Sequence, residues 1–172
     1  MFKSLSFLSL FLFLCSINIS FASSLQQQNV SNIHNIMAEF STSIINKDVD
    51  KFMALFVEQE VSWVGVISEE THKLLTSKNS AFSAQSRAKF ESPSKFITDI
   101  AASPHNMREA FSNVVIKNDN NVATVTFDYE MYQNEFKKNW GQESWLLLKI
   151  DGQWKIHAVN FSLTLNADIF KQ

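Results

Sequence analysis

The chain is poor in the residues that cross-link, kink or charge a small protein: among 172 residues there are one cysteine, two prolines and three glycines. A lone cysteine excludes an internal disulfide. Three scattered glycines leave no glycine-rich phosphate loop and no Gly-x-Ser-x-Gly turn for a nucleophile. Arginine occurs only as Arg87 and Arg108, and acidic residues outnumber basic ones 17 to 15, so no basic field is available to a nucleic-acid backbone. The apolar run near the N-terminus falls well short of the roughly 20 residues that span a bilayer. His34, His72, His105 and His157 have neither the spacing nor the neighbouring carboxylates of a metal site, so neither metal nor cofactor is expected.

What is present begins with a leader. Lys3 supplies a positive start, Leu5 through Leu14 is apolar apart from serines, and Ser20 and Ala22 stand at the −3 and −1 positions of a cleavage site. Met1 to Ala22 therefore reads as a signal peptide cut after Ala22. The expected location is secreted or periplasmic, with no stable membrane insertion once the leader is gone. A lipoprotein cut before Cys15 is the competing reading, but Leu14 is bulky where such sites carry a small residue. Cleavage after Ala22 also removes Cys15, and residues 23–172 are the size of one domain. With no disulfide, that domain depends on apolar packing, for which eleven of the chain's sixteen phenylalanines and all four tryptophans are available.

Val30, Ile33, Met37, Phe40 and Ile44 recur at steps of three and four, which predicts an amphipathic helix over residues 30–45. Asp48 caps a second short helix that buries Val49, Phe52 and Phe56, and Val61 to Ile67 has the β-branched and aromatic content of a strand. From Ser68 to Phe90 the pattern is weak, and an irregular covering segment is expected, anchored by Leu74, Leu75 and Phe82. Ser92-Pro93 opens another helix, holding Phe96, Ile97 and Ile100 and stopping before Pro104. Strands follow at residues 109–116 and 122–132, joined by an Asn-Asp-Asn-Asn turn, and then a long hairpin closed by Asp151-Gly152. Helices followed by antiparallel strands indicate an α+β domain, with the helices packed on one side of a strongly curved sheet.

A two-residue turn fixes the hairpin register. Lys149 falls opposite Trp154, Leu147 opposite Ile156, Trp145 opposite Ala158 and Glu143 opposite Asn160, all on one face. Leu146, Leu148, His157, Val159 and Phe161 then form a second face, too apolar to leave in water.

Gly141-Gln142-Glu143-Ser144-Trp145, the Leu148 to Ile156 turn region and the terminal Asn160-Phe161-Ser162 resemble the NTF2-like superfamily, and the resemblance extends over the whole of 23–172. It implies the cone-shaped α+β barrel of ketosteroid isomerases, scytalone dehydratases and SnoaL-like cyclases, and a homodimer formed through the convex sheet face. Steroid isomerases of this group place acids on the first strand and on a later one. The matching stretches here, Trp63-Val64-Gly65 and Leu146-Leu147-Leu148, carry none, so that chemistry is not carried over.

The expected function is the binding of a small apolar molecule in the cone, lined by Trp63, Tyr129, Glu143, Trp145 and Asn160. Tyr129 is preferred to Tyr132 because positions three apart on a strand face opposite sides. The alternative is a SnoaL-like lyase or isomerase in which a desolvated Glu143 is acid or base, Asn160 orients the substrate and Tyr129 donates a hydrogen bond. His72, in the covering segment, is a weak catalytic candidate at the pocket mouth. A third reading is a protein-binding accessory module. Asn29-Val30-Ser31 and Asn160-Phe161-Ser162 are formal glycosylation sequons, the second within a strand.

Overall fold

The computed structural model describes residues 6–171, with side chains from residue 24 onward. The expected leader, Met1 to Ala22, with Cys15 and the cut after Ala22, lies outside the residues whose side chains are described. Helix α1 spans Ser6–Asn46 and turns Ile33, Met37, Phe40 and Ile44 into the core at the predicted spacing. Asp48 then caps α2, Val49–Met53, by accepting a hydrogen bond from the Lys51 amide at 3.1 Å. Strand β1 is Ser62–Ile67, and helix α4, capped by Ser92 with Pro93 in its first turn, is Pro93–Ala102.

Residues 68–90 are more regular than their sequence suggests. They form α3 (Glu69–Lys78), a 3-10 turn (Ser80–Ala84) and strand β2 (Ala88–Phe90). The ordering comes from polar groups that hydrophobic periodicity does not register. Ser68 caps the helix through the Thr71 amide, Glu69 and Glu70 sit in its first turn, and the buried Thr71 hydroxyl accepts from the Leu165 amide at 2.8 Å.

The remaining strands are β3 (Met107–Asn118), β4 (Val122–Gln133), β5 (Phe136–Ile150) and β6 (Gln153–Leu165). Among the described residues they join the first two in one sheet, in the order β2-β1-β6-β5-β4-β3, with β1 and β6 parallel and the other pairs antiparallel. Register shifts interrupt the ladders between Ser112 and Val115, between Met131 and Tyr132, and between Leu146 and Leu147. Each such irregularity bends its strand, and the four long strands wrap around α1, α2 and α4. Phe40 of α1 lies inside the wrap, its ring within 4.7–6.5 Å of Phe52, Phe96, Phe111 and Trp145. Among the described residues no helix is long and apolar enough to cross a membrane.

The hairpin turn is as expected, with Asp151 at φ 49° and Gly152 at φ 79°, and the pairs Lys149–Trp154 and Leu147–Ile156 hold. Beyond them the bulge adds one residue to β6. Trp145 therefore pairs with Val159 rather than Ala158, and Glu143 with Phe161 rather than Asn160. Val159 is fully buried and Phe161 turns inward, while Asn160 is exposed on the other face. The second face thus loses two of its expected apolar members. It keeps Leu146 and Leu148, both half-buried, beside polar residues such as Thr124 and Ser144.

Candidate functional site

At the end of the sheet where β3 and β5 begin and β4 and β6 finish, the cone is not filled. A cavity of about 350 Å³ remains, walled by Phe40, Trp63, Phe96, Ile100, Met107, Met131, Phe161 and Leu163. Its mouth carries Glu91, Asp99, Ser103, Gln133, Lys138 and Asn139. A space of this size, apolar with a few convergent polar groups, has the character of a small-molecule pocket.

Two acids and one phenol stand inside it. Met107, Glu109 and Phe111 share one face of β3, so a carboxyl falls at a position whose alternation calls for an apolar side chain. Glu109 is 4 % exposed and Glu143 6 %. Glu109 lies beside Met131 of β4, Glu143 lies beside Phe127 of the same strand, and Tyr129 sits between those two β4 residues. The three polar groups therefore form a diagonal across three adjacent strands.

Burial and mutual repulsion decide their ionisation. Desolvation pushes the Glu143 carboxyl up to about 7, although the Trp145 indole N–H, donating to its Oε1 at 2.5 Å, favours the charged form. Glu109 is raised well above the usual carboxylate range, first by burial and then by the charge of Glu143. Burial and the same two acids raise Tyr129, so it is a neutral donor. Its hydroxyl donates to the Ser162 carbonyl at 2.9 Å. That contact depends on Gly141, paired with Tyr129 across the sheet, because a Cβ at Gly141 would lie 2.0 Å from the Ser162 oxygen. Both acids are raised by the same burial, and the charge of one disfavours ionisation of the other.

The cavity wall also contains polar atoms with no partner. Glu109 Oε2 and Trp63 Nε1 are buried and make no hydrogen bond. Such orphans are rare in folded proteins, and each costs about 1–3 kcal/mol. Here an acceptor and a donor of this kind stand in the wall of one cavity.

Of the residues expected from sequence, Trp63, Tyr129 and Glu143 line the cavity. Trp145 does not line it. It lies behind the wall, packed edge-on to Phe127 at 5.0 Å and holding Glu143. Asn160 is excluded from the site, because the β6 bulge reverses the alternation that placed it opposite Glu143. His72 is not at the mouth, since α3 carries it to the Phe82 carbonyl, 2.9 Å from its Nε2. Glu109 and Phe161 were not among the expected residues. A glutamate in phase with Met107 and Phe111 is the mark by which the first could have been found, whereas Phe161 depends on the bulge. Among the described residues no group of three or more His, Cys, Asp and Glu is placed to hold a metal ion.

No protein-family model matches the chain, and no curated protein matches it by sequence. Solved structures do match its shape. A provisionally assigned scytalone dehydratase of Novosphingobium aromaticivorans superposes with a TM-score of 0.62 at 16% identity, over 83% of this chain and 89% of that one. An NTF2-like protein of Cytophaga hutchinsonii gives 0.55 at 15% identity, over 80% and 98%. A Nostoc punctiforme protein of unknown function with a cystatin-like fold gives 0.54 at 15% identity, over 77% and 89%. The helices held within a six-stranded curved sheet, together with these likenesses, make this chain an α+β protein with the NTF2-like fold.

Proposed function

We propose that the protein binds a small, largely apolar molecule in the open end of its cone, with a polar group of that molecule meeting the Glu109–Glu143 pair. The observation that carries this reading is the coincidence of an unfilled cavity of about 350 Å³ with two orphaned polar atoms in its wall. A fold filled only for stability would close such a space, since empty volume and unpaired polar groups both cost stability. Export after cleavage at Ala22 belongs to the same proposal, as does a homodimer through the convex sheet face. That face presents Leu146 and Leu148 to a partner, with Val159 and Phe161 turned inward.

Native mass spectrometry of protein purified from its own compartment tests the binding reading. One retained small molecule per chain is expected, and Leu163→Trp, which fills the cavity, should abolish retention. Wild-type protein that is empty, or a variant that retains as much as wild type, would remove it.

A second reading has its own support. Burial pushes Glu143 up to about 7 beside a Glu109 that is also raised well above its usual range, which would let a base and an acid act on one substrate. That fits a lyase or isomerase, and one structural neighbour bears a dehydratase name. The retained molecule, returned to the protein in D2O, should then gain deuterium or lose water with wild type and not with Glu143→Gln. An unchanged molecule in both cases counts against catalysis and leaves binding intact.

A further inference from the structure

We propose that the ligand of this cavity is a small hydrophobic amine, bound as its ammonium against Glu109 and Glu143 with its apolar body among the aromatic rings. The inference rests on the binding reading above and adds the chemical class of the ligand.

The argument starts from which charges face the cavity. From the sheet come Glu109 on β3, Tyr129 on β4, and Glu143 and Lys138 on β5. From the helical side come Glu91, before α4, and Asp99 on it. Four carboxyls and one ammonium thus line the cavity, with Asp99 paired at 2.6 Å to Lys95 outside the lining. That ammonium, Lys138, belongs to the half-buried mouth, whereas Glu109 and Glu143 are buried at the inner end. An anionic ligand would have to pass Glu91 and finish against two buried acids with no cation at the inner end, an arrangement that disfavours it.

A neutral apolar ligand is tolerated there but does not explain why the acids are present. A cation accounts for three features together. It supplies donors to Glu109 Oε2, the buried acceptor that has none. It offsets the repulsion between the two carboxyls, which otherwise disfavours ionising both. Its charge also gains from ring faces, and Phe40, Trp63, Phe96 and Phe161 supply them, with Trp63 5.1 Å from Phe96 and 6.3 Å from Phe161 between ring centroids. The Trp63 N–H remains for an acceptor elsewhere on the same ligand.

The exchange balances. Starting from a pair that holds one proton and one negative charge, an amine entering as R–NH3+ gives a complex of two carboxylates and the ammonium. One proton leaves to solvent for each ligand bound.

Calorimetry with 3-phenylpropylamine, 3-phenylpropan-1-ol and 3-phenylpropanoate tests this, each titrated near pH 7 in two buffers of different ionisation enthalpy. The amine should bind at least about tenfold more tightly than the alcohol, with the carboxylate weakest, since a desolvated charge pair is worth that factor or more. The buffer dependence should report a proton released by the amine and none by the alcohol. Glu109→Gln should lose the amine's advantage and keep the alcohol's affinity, and Glu143→Gln provides a second reading should the first variant fold poorly. An alcohol that binds as well as the amine, or an amine that releases no proton, overturns the amine assignment and leaves the cavity a binding site. Failure of all three probes to bind would count against the cavity reading itself, and the amine with it.

Discussion

The two ends of the sheet both bury polar groups and treat them oppositely. At the hairpin end Asn29, 2 % exposed, is saturated: its Oδ1 accepts from Lys149 Nζ at 2.9 Å and Trp154 Nε1 at 3.3 Å, and its Nδ2 donates to Asn120 Oδ1 at 2.5 Å. Only the neighbouring Asn118 Nδ2 is left over. The network ties α1 to the β3–β4 turn and to both strands of the hairpin. At the open end the acids face space, and a donor and an acceptor go unmatched. The closed end is held by a nearly complete hydrogen-bond network, whereas the open end keeps unpaired polar groups at the expense of stability, which accords with the binding site proposed there. The comparison also settles a smaller matter. The Asn29 sequon is buried and bonded in the folded chain, so glycosylation there is incompatible with this packing.

The largest effect should come from breaking the closed end. Asn29→Leu removes the acceptor of a lysine and a buried indole and the donor to Asn120, and unpaired buried groups of this kind cost a few kcal/mol together. We expect a loss of about 3 kcal/mol in urea denaturation. A loss below about 1 kcal/mol would mean that water replaces Asn29 readily and that this end is no more constrained than the other.

The open end should respond in the opposite sense. The Glu143 carboxyl has an ordinary value of 4.5 and is raised to about 7 in the folded chain. Between those pH values the folded state keeps a proton that the unfolded state has released. Stability therefore falls as pH rises through that window, by roughly 3 kcal/mol once complete. Glu109, raised in the same direction, extends the fall to higher pH. Glu143→Gln removes its own share, so the variant should gain on the wild type from pH 4.5 to 7 and denature later at pH 8. The difference between the two curves isolates this residue from the exposed acids, which titrate in both. A variant less stable than wild type at pH 8 would show that the carboxylate holds the open end together.

The two ends also differ in how far they are legible in the sequence. Element order, the Asp151-Gly152 turn, the Asp48 and Ser92 caps and the inward face of β4 follow from periodicity and turn chemistry, which act within a few residues. The inward placement of Tyr129 and Glu143 follows from the alternation that short stretches of regular strand preserve. Asn160, Val159 and Phe161 were misplaced because one extra residue in β6, at Ile156–Ala158, reverses alternation beyond it, and no single residue type announces a bulge. The inward position of Glu109 is legible in its phase with Met107 and Phe111. The Ser68–Phe90 segment was illegible to hydrophobic patterning because polar contacts through Ser68 and Thr71 order it.

A smaller effect is expected where the site joins the sheet. Tyr129→Phe deletes the hydroxyl bond to the Ser162 carbonyl and leaves the ring packed edge-on to Phe161 at 6.3 Å. The cost should be near 1 kcal/mol in urea midpoint, the ordinary net worth of one neutral hydrogen bond. Ligand retention should survive if Tyr129 only shapes the wall, and should fall with little change in stability if its hydroxyl turns toward the ligand. The second outcome would move Tyr129 from the scaffold to the site.

The smallest effect is the one that tests the register. Asn160 is exposed on the outer face and pairs with Ser144, one position away from the alignment a regular hairpin would give. Asn160→Ala should therefore change stability by no more than about 0.5 kcal/mol, as exposed positions do. It should also leave the pH dependence of stability and the retained ligand untouched. In a regular ladder the same side chain would stand beside Glu143, inside the cone, and its removal would leave that acid without a polar neighbour and shift its titration. A pH profile for Asn160→Ala superimposable on that of the wild type is thus evidence for the bulge, and a displaced one is evidence against it. Because the bulge also turns Phe161 into the cavity, this variant decides which residues form the wall of the open end.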